Sequence, residues 1–257
     1  MVDQFDEQLE TWQEHTRTPW ARIRYAVVAE VLRRQTAELG ERLRVLDVGG
    51  GDGMDALPLA RAGHEVTIVD PSTSWLREAA RRAASDGVAI TTVEGGLDDL
   101  PEGEWDLTLC HFVLRYRDAD HADVAALARR VRPGGRLSIM DVNPAGLVLR
   151  ALVEAGPEAA SAQLSAERAK VVTFDSDARK VDAEDVRALA EAAGLHLVGR
   201  YANRIANDLV ADNTAKHDPA FFDRLLELEL ALCDREPFNR IGNAWQLVFE
   251  MVRQESP

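Results

Sequence analysis

The sequence predicts an α/β fold, with a mostly parallel sheet and helices on both of its faces. Short β-rich apolar runs alternate with longer helical stretches through residue 142, which is typical of parallel strands joined by helices. The segment VLDVGGGDG (45–53) places a glycine-rich loop directly after the first strand. Such a loop brings a ligand close to the backbone at the carboxyl end of the sheet. At 257 residues with 46% hydrophobic residues, the chain is expected to form one domain, 1–257.

The first five strands and their helices follow in chain order. The predicted strands are 43–49, 64–70, 88–95, 105–112 and 136–142, and the predicted helices are 55–63, 74–85 and 121–131. Ser72 or Thr73 is suited to cap the second of these helices, and the sequence PGG (133–135) is expected to break the third. An earlier helix, 19–39, has an apolar face. Within an N-terminal capping segment, 1–40, it is expected to lie over the ligand site.

The regularity weakens after residue 142. Residues 143–182 form a long connection with an alanine-rich helical part, and 202–240 form a second elaboration. We expect both to lie on the substrate side of the sheet. The remaining elements are predicted as a helix over 182–194, a strand over 195–201, a helix over 218–234 and a last strand over 244–252.

Composition excludes several classes of protein. No stretch approaches the roughly 18 apolar residues that a membrane helix needs, and the polar N-terminus has no apolar core of a signal peptide. Cys110 and Cys233 lie far apart, which argues against a disulfide framework or a cysteine metal site, and we predict no metal. The net charge of −14 disfavours DNA as a partner. We expect a cytoplasmic monomer or homodimer without a membrane partner.

The residues around the glycine loop discriminate among nucleotide-like ligands. A phosphate-binding P-loop would need Gly-Lys-Ser/Thr, which does not follow here. A dinucleotide fingerprint using Gly49 and Gly51 would need a small residue at position 54, where the chain has Met54. Asp47, two residues before Gly49, is poorly placed for a pyrophosphate and suits a ligand that carries an ammonium group.

The pattern Asp47-x-Gly49-x-Gly51-x-Gly53 resembles the loop of class I S-adenosylmethionine-dependent methyltransferases. Asp70 ends the second strand, where that family has an acid that accepts both ribose hydroxyls. The resemblance implies S-adenosylmethionine as cofactor. It also implies a Rossmann-like seven-stranded, mostly parallel sheet with an antiparallel last strand, and an N-terminal helix over the cofactor site.

The C-terminal segment LLELELALCDREPFNRIG (225–242) is more specific, because the general fold does not require it. From about residue 20 to the end, the chain is similar to bacterial tRNA 5-carboxymethoxyuridine methyltransferases, which esterify the carboxylate of a modified wobble uridine. The resemblance implies that Arg24 grips the methionine carboxylate of the cofactor. It further implies a cofactor site made of Arg24, Asp47, Gly49, Gly51, Asp70, Pro71, Gly96, Leu97, Asp98 and His111, with Asp98 near the adenine amino group. The implied substrate residues are Arg115, Tyr116, Arg204 and Asn207, and the implied catalytic residues are His111 and Arg204.

The chain departs from this family where RNA would bind. The family has a strongly basic run after strand five, whereas residues 154–172 contain only Arg168 and Lys170 as positive residues. Residues 207–209 are Asn-Asp-Leu, where the family has His-Asp-Tyr, so an aromatic surface for a flipped base is missing. We therefore predict a small polar or acidic metabolite as acceptor, favoured over tRNA. Carboxyl O-methylation of the tRNA wobble uridine is the alternative, and a non-catalytic S-adenosylmethionine-binding protein is the second.

The identity of the acceptor decides which side chains the chemistry needs. A methyl sulfonium is already activated, so the protein must align the acceptor and exclude water. A carboxylate is ionised at pH 7 and needs a cation to position it, for which Arg204 or Arg115 is available. An amine or hydroxyl acceptor would need a general base, and His111 is placed for that role.

Overall fold

The computed structural model describes residues 9–118, 120–171 and 176–253. Its strands are β1 (Arg44–Val48), β2 (Glu65–Asp70), β3 (Thr91–Glu94), β4 (Trp105–His111), β5 (Val131–Val142), β6 (Arg168–Val171), β7 (Ser176–Arg179), β8 (Leu195–Asn203) and β9 (Ala244–Met251). Its helices are α1 (Leu9–Thr16), α2 (Pro19–Leu39), α3 (Leu57–Arg61), α4 (Thr73–Ser85), α5 (Asp120–Ala128), α6 (Pro144–Ala155), α7 (Pro157–Ser165), α8 (Ala183–Ala192) and α9 (Pro219–Leu232).

Seven strands form one sheet in the order β3-β2-β1-β4-β5-β9-β8. The pairs from β3 to β5 are parallel, and β9 runs antiparallel to both β5 and β8. The predicted fold class, a mostly parallel seven-stranded sheet with an antiparallel last strand, is confirmed. Because β9 is reversed, its first residues lie at the same edge of the sheet as the carboxyl ends of the other strands.

Apolar side chains pack on both faces of the sheet. On one face, Val28 of α2 and Leu76 of α4 pack in a cluster with Val45 of β1. On the other face, Val124 of α5 and Val186 of α8 pack with Leu46. Consecutive residues of β1 therefore serve opposite layers, as expected of a strand buried on both sides. The predicted placement of helices on both faces is confirmed.

The turn between α5 and β5 differs from the prediction. The helix ends at Ala128 rather than at 131, and β5 already begins at Val131, so that PGG lies within the strand. The pairing of β4 with β5 shifts between Trp105 and Leu107, and a side chain at Gly135 would meet three backbone oxygens at 3.0 Å. Gly135 thus allows a close backbone approach at an irregular point of the sheet.

The substrate-side connections contain more structure than the sequence predicts. The connection 143–182 holds two helices, α6 and α7, and the hairpin β6–β7, which was not predicted. Helix α1 was likewise missed. Residues 1–8 of the expected capping segment and 172–175 of the connection lie outside the described residues. Ser72, rather than Thr73, caps the N-terminus of α4, because its Oγ accepts the Trp75 backbone N–H at 3.2 Å.

Within the described ranges, no helix is both long and apolar enough to cross a bilayer. Cys110 and Cys233 are both buried free thiols. A cytoplasmic location and a monomeric or homodimeric state stay predictions.

Candidate active site

A cavity of about 1240 Å³ opens at the carboxyl edge of the sheet. All sequence-predicted site residues line it: Arg24, Asp47, Gly49, Gly51, Asp70, Pro71, Gly96, Leu97, Asp98, His111, Arg115, Tyr116, Arg204 and Asn207. The fold therefore brings together residues from across the chain. Their individual roles stay predictions, which the geometry makes more specific.

The glycine loop follows β1 in a backbone conformation that favours glycine. Gly49 and Gly51 have φ values of +69° and +53°. The Gly49 N–H donates to the Val69 carbonyl at 2.7 Å, which ties the loop to β2. A side chain at Gly49 would come within 2.4 Å of a Val113 methyl group. The loop can therefore present bare backbone to the cavity.

Asp70 is held rigidly at the end of β2. Its Oδ2 accepts the Gly51 N–H at 2.9 Å, and its Oδ1 accepts the Ser72 N–H at 2.9 Å. Each carboxylate oxygen has further lone pairs. A carboxylate oriented in this way fits a ligand with two neighbouring hydroxyl groups, as the ribose role requires.

Asp47 is buried beneath the loop, with 2% of its surface exposed. Its Oδ2 has no hydrogen-bond partner among the described residues. Burial, followed by the nearby Asp55 and Asp70, raises the pKa of Asp47 well above its usual value. An ammonium group in the cavity would supply the missing donor and favour the ionised carboxylate. The site thus fits the amino-acid end of S-adenosylmethionine, and it does not suit a pyrophosphate.

Arg24 of α2 is already engaged by an acid that the sequence analysis missed. Its two terminal nitrogens donate to Asp55 at 2.8 and 2.7 Å, and His111 Nδ1 lies 2.8 Å from the same carboxylate. Burial alone would raise the pKa of Asp55, but Arg24 and His111 outweigh it and hold the pKa below its usual value. The predicted grip of Arg24 on the cofactor would therefore be shared with Asp55.

His111 uses both ring nitrogens within the protein. A carboxylate only accepts, so Nδ1 donates to Asp55, and Nε2 lies 2.9 Å from the Ser138 hydroxyl, which can serve as donor or acceptor. Ser138 Oγ in turn accepts from the Gln246 side chain at 2.9 Å. This arrangement does not favour His111 as a general base, because both of its ring nitrogens already have partners within the protein. A place beside the cofactor remains the prediction for His111.

Two further predicted residues have protein partners. The Arg115 side chain is buried and donates through Nε to Asp141 at 2.7 Å, with its guanidinium 4.6 Å from the Phe112 ring. Arg115 therefore lies in the cavity wall with its guanidinium group held by Asp141 and the Phe112 ring. The side chain of Asp98 is 73% exposed and accepts two hydrogen bonds from Arg117, each of 2.8 Å. An adenine amino group would have to share Asp98 with that arginine.

Arg204 lies directly after β8, at the end of the cavity away from the glycine loop. We call this end the acceptor side, because the predicted acceptor residue Arg204 lies there. Arg204 has a positive φ of 55°, and its Nε and Nη2 donate to Asp208 at 2.9 Å each. Nη1 makes no hydrogen bond within the part of the chain that the structure describes. The buried Glu229 holds the turn after Arg204, because its carboxylate accepts the backbone N–H groups of Ile205 and Asn207 at 2.9 and 2.7 Å. Arg204 is thus pre-positioned, with one donor group left for a ligand.

Other cations line the cavity beside Arg204, namely Arg150 and Lys216. Arg150 donates to Glu154 at 2.8 Å, as Arg204 donates to Asp208. Burial, followed by Arg204, Arg24 and Arg150, lowers the pKa of His15 to about 4, so His15 is uncharged at neutral pH. An anionic ligand would therefore meet N–H donors here that already share an acidic partner.

Helix α1 lies over the mouth of the cavity. The Trp12 indole N–H donates to Asp52 at 3.2 Å, and its ring lies 5.5 Å from that of Trp75. Sequence reasoning missed Trp12, His15, Asp55, Arg150 and Lys216. Asp55 carried a usable signal as the acid just after the glycine loop, whereas α1 has only eight residues and too few apolar positions for a clear period.

Residues 45–135 match the family model of a methyltransferase domain. This segment contains the glycine loop, Asp70 and β4, which form the cofactor half of the cavity. The match assigns a methyltransferase domain to residues 45–135, and the glycine loop and Asp70 of this domain are placed to hold S-adenosylmethionine.

Among known proteins, the chain is similar to the tRNA 5-carboxymethoxyuridine methyltransferase of Escherichia coli K12. The two are 29% identical over 231 residues, covering 88% of this chain and 87% of the relative. An uncharacterised Mycobacterium tuberculosis protein is 34% identical over 142 residues, or 51% of each chain.

Two solved structures share the fold. A Thermotoga maritima S-adenosylmethionine-dependent methyltransferase aligns with a TM-score of 0.63 and 16% identity, covering 97% of this chain and 99% of that one. The magnesium protoporphyrin IX methyltransferase of Synechocystis, with bound S-adenosylhomocysteine, has a TM-score of 0.63 and 18% identity, covering 94% and 93%. At these identities the likeness concerns the fold alone.

Proposed function

We propose that this enzyme methylates a carboxylate of a small acidic metabolite. The observation that carries the proposal is Arg204, which lines the cavity at the end of β8 and keeps Nη1 without a partner among the described residues. When bound, S-adenosylmethionine supplies an activated methyl group. An ionised carboxylate needs no base, which agrees with the fully engaged His111.

In this proposal the protein binds, orients and excludes water. Asp47, Asp70 and the glycine loop hold the cofactor, and Arg204 orients the acceptor carboxylate. Trp12 and Trp75 cover the cavity mouth and limit access of water. The net charge of −14 favours a small acceptor over a polyanion, because long-range repulsion opposes a nucleic acid.

Carboxyl O-methylation of a tRNA wobble uridine is the second candidate. It is supported by the 29% identity to the Escherichia coli enzyme over most of both chains. Both candidates use a carboxylate acceptor and differ in what carries it.

The test offers methyl-labelled S-adenosylmethionine with a panel of small carboxylic acids and, separately, with tRNA containing 5-carboxymethoxyuridine. We expect base-labile label, diagnostic of a methyl ester, in the small-acid fraction. Label in tRNA alone would replace our first candidate with the second. Base-stable label would overturn carboxylate methylation altogether.

Replacing Arg204 with alanine is expected to raise the KM for the acceptor by about 100-fold, because a charge-assisted contact to the carboxylate is lost. The Kd for S-adenosylhomocysteine should change by less than about threefold, since Arg204 lies on the acceptor side. Steady-state kinetics and calorimetry measure the two constants. Arg187→Ala, in an exposed ion pair with Glu191, is the matched control and should change neither. An unaltered acceptor KM in Arg204→Ala would remove Arg204 from the proposal.

A further inference from the structure

Three asparagines of the cavity wall carry buried polar atoms without partners. Asn203 and Asn207 are each 1% exposed, and Asn243 is 7% exposed. Asn203 Oδ1, Asn207 Oδ1 and Asn243 Nδ2 make no hydrogen bond to any residue in the described ranges. A buried amide group is costly to leave unsatisfied. All three line the cavity, so a ligand there could supply the missing partners.

The surroundings of Asn207 fix which of its atoms remains unused. Its Nδ2 donates to Asp208 at 2.6 Å, and a carboxylate can only accept. Its backbone N–H donates to Glu229, and its carbonyl accepts from Lys216 Nζ at 2.7 Å. The side-chain oxygen of Asn207 is therefore its one buried side-chain atom without a partner among the described residues, and it can only accept.

Asn203 and Asn243 are held at the neighbouring ends of β8 and β9. Asn203 Nδ2 lies 3.3 Å from Met140 Sδ, which orients Oδ1 as a second acceptor. The backbone N–H of Asn243 donates to the Arg204 carbonyl at 3.3 Å, and its carbonyl accepts from the Asn143 N–H at 2.8 Å. The unpartnered atoms in the cavity wall are thus two oxygens, of Asn203 and Asn207, and one amide nitrogen, of Asn243, which carries two N–H groups.

These groups lie away from the predicted cofactor position. The glycine loop follows β1, and β9 and β8 lie three and four strands further along the sheet. At about 4.8 Å per strand, that is roughly 14 and 19 Å. The asparagines share this side of the cavity with Arg204, so their missing partners belong to the acceptor.

Resting on the proposed function, we propose that the acceptor carries a primary carboxamide or ureido group in addition to its carboxylate. A terminal –CO–NH2 offers two N–H groups, which can donate to the two oxygens, and one carbonyl, which can accept from the Asn243 amide nitrogen. The imide edge of a uracil offers one N–H between two carbonyls, so it can pair with only one of the two oxygens. The subsite therefore selects amide-bearing small acids and disfavours a uridine.

The test compares acids that differ only at this group. Succinamate, glutaramate and adipamate are paired with the methyl ketones of the same shape and charge: 4-oxopentanoate, 5-oxohexanoate and 6-oxoheptanoate. Calorimetry with saturating S-adenosylhomocysteine gives their Kd values. We expect the amide of at least one chain length to bind at least about tenfold more tightly than its ketone. Asn203→Leu and Asn243→Leu should each bring that ratio to within about threefold of unity.

Asn239→Leu is the matched control. Asn239 is 3% exposed and also has an unpartnered Oδ1, but it does not line this cavity. The amide preference should persist in this variant. Equal binding of amide and ketone at every length, no binding of any amide acid, or a preference that survives Asn203→Leu would each overturn the subsite.

A neutral diamide, succinamide, separates this inference from the proposed function. Tight binding of succinamide without methylation of any acid would refute the carboxylate acceptor and leave the amide subsite standing. Methylation of acids with no gain from the amide would refute the subsite alone.

Discussion

Replacing Asp55 with alanine is expected to lower the free energy of unfolding by about 3 kcal/mol, the lower end for a broken buried ion pair. The Arg24 guanidinium would lose both of its partners on Asp55, and His111 Nδ1 would lose its acceptor. The side chains of Arg24 and Asp55 are only 13% and 9% exposed, so water compensates poorly. Equilibrium denaturation in urea measures the loss.

The pH dependence of this effect has a definite sign. Arg24 and His111 outweigh burial and hold the pKa of Asp55 below its ordinary 3.8 in the folded state. Below that value the unfolded chain binds more protons than the folded one, so stability falls with falling pH. Above about pH 5 the Asp55 carboxylate is ionised in the folded and the unfolded chain, so its own contribution to the stability difference between the native protein and Asp55→Ala is constant. It should shrink below about pH 4.

Glu191→Ala supplies the control for Asp55→Ala. Glu191 pairs with Arg187 on the surface, and both side chains are largely exposed. Its loss should cost no more than about 0.5 kcal/mol, at any pH. If Asp55→Ala were as mild as Glu191→Ala, the Arg24–Asp55–His111 contacts would not stabilise the fold.

The sequence predicts the sheet well because each strand has a local signature. β1, β2 and β4 are short apolar runs bounded by turn residues, and their carboxyl ends must meet at one edge. Most of the predicted cofactor residues lie at or just after the carboxyl ends of these strands and of β3, and Arg24 comes from α2. Because the strand ends share one edge, all of these residues line the cavity, although each was predicted from its own segment of sequence.

Contacts between distant segments could not be predicted in this way. His111 is bonded to Asp55, 56 residues away, and to Ser138, 27 residues away. Its local sequence suggests a free base, and only the packing of α3 and β5 around β4 shows that both nitrogens are used. The asparagine subsite depends likewise on β8 and β9 being neighbours. Burial of an unpaired amide is a property of the folded chain.

Gly49→Ala is expected to weaken binding of S-adenosylhomocysteine by about 100-fold, or about 2.7 kcal/mol, because the loop must shift away from the cofactor. The φ of +69° at Gly49 strains any residue with a Cβ, which costs about 1 kcal/mol. The added Cβ would also come within 2.4 Å of a Val113 methyl group, so the loop or the turn after β4 must move. Calorimetry gives the Kd, and urea denaturation gives the loss of stability.

Two further variants separate the steric cause from the backbone cause. Gly96→Ala adds the same methyl group in the cavity wall at a φ of −127°, with nothing within 4 Å, so its stability should change by less than about 0.5 kcal/mol. Gly49→Ala combined with Val113→Ala removes the clash but keeps the strained φ. It should recover part of the affinity relative to Gly49→Ala alone. Full recovery of the affinity would mean that the positive φ does not contribute to the loss, and no recovery would mean that the contact with Val113 does not contribute. Unchanged affinity in Gly49→Ala would show that the loop does not hold the cofactor by close backbone approach.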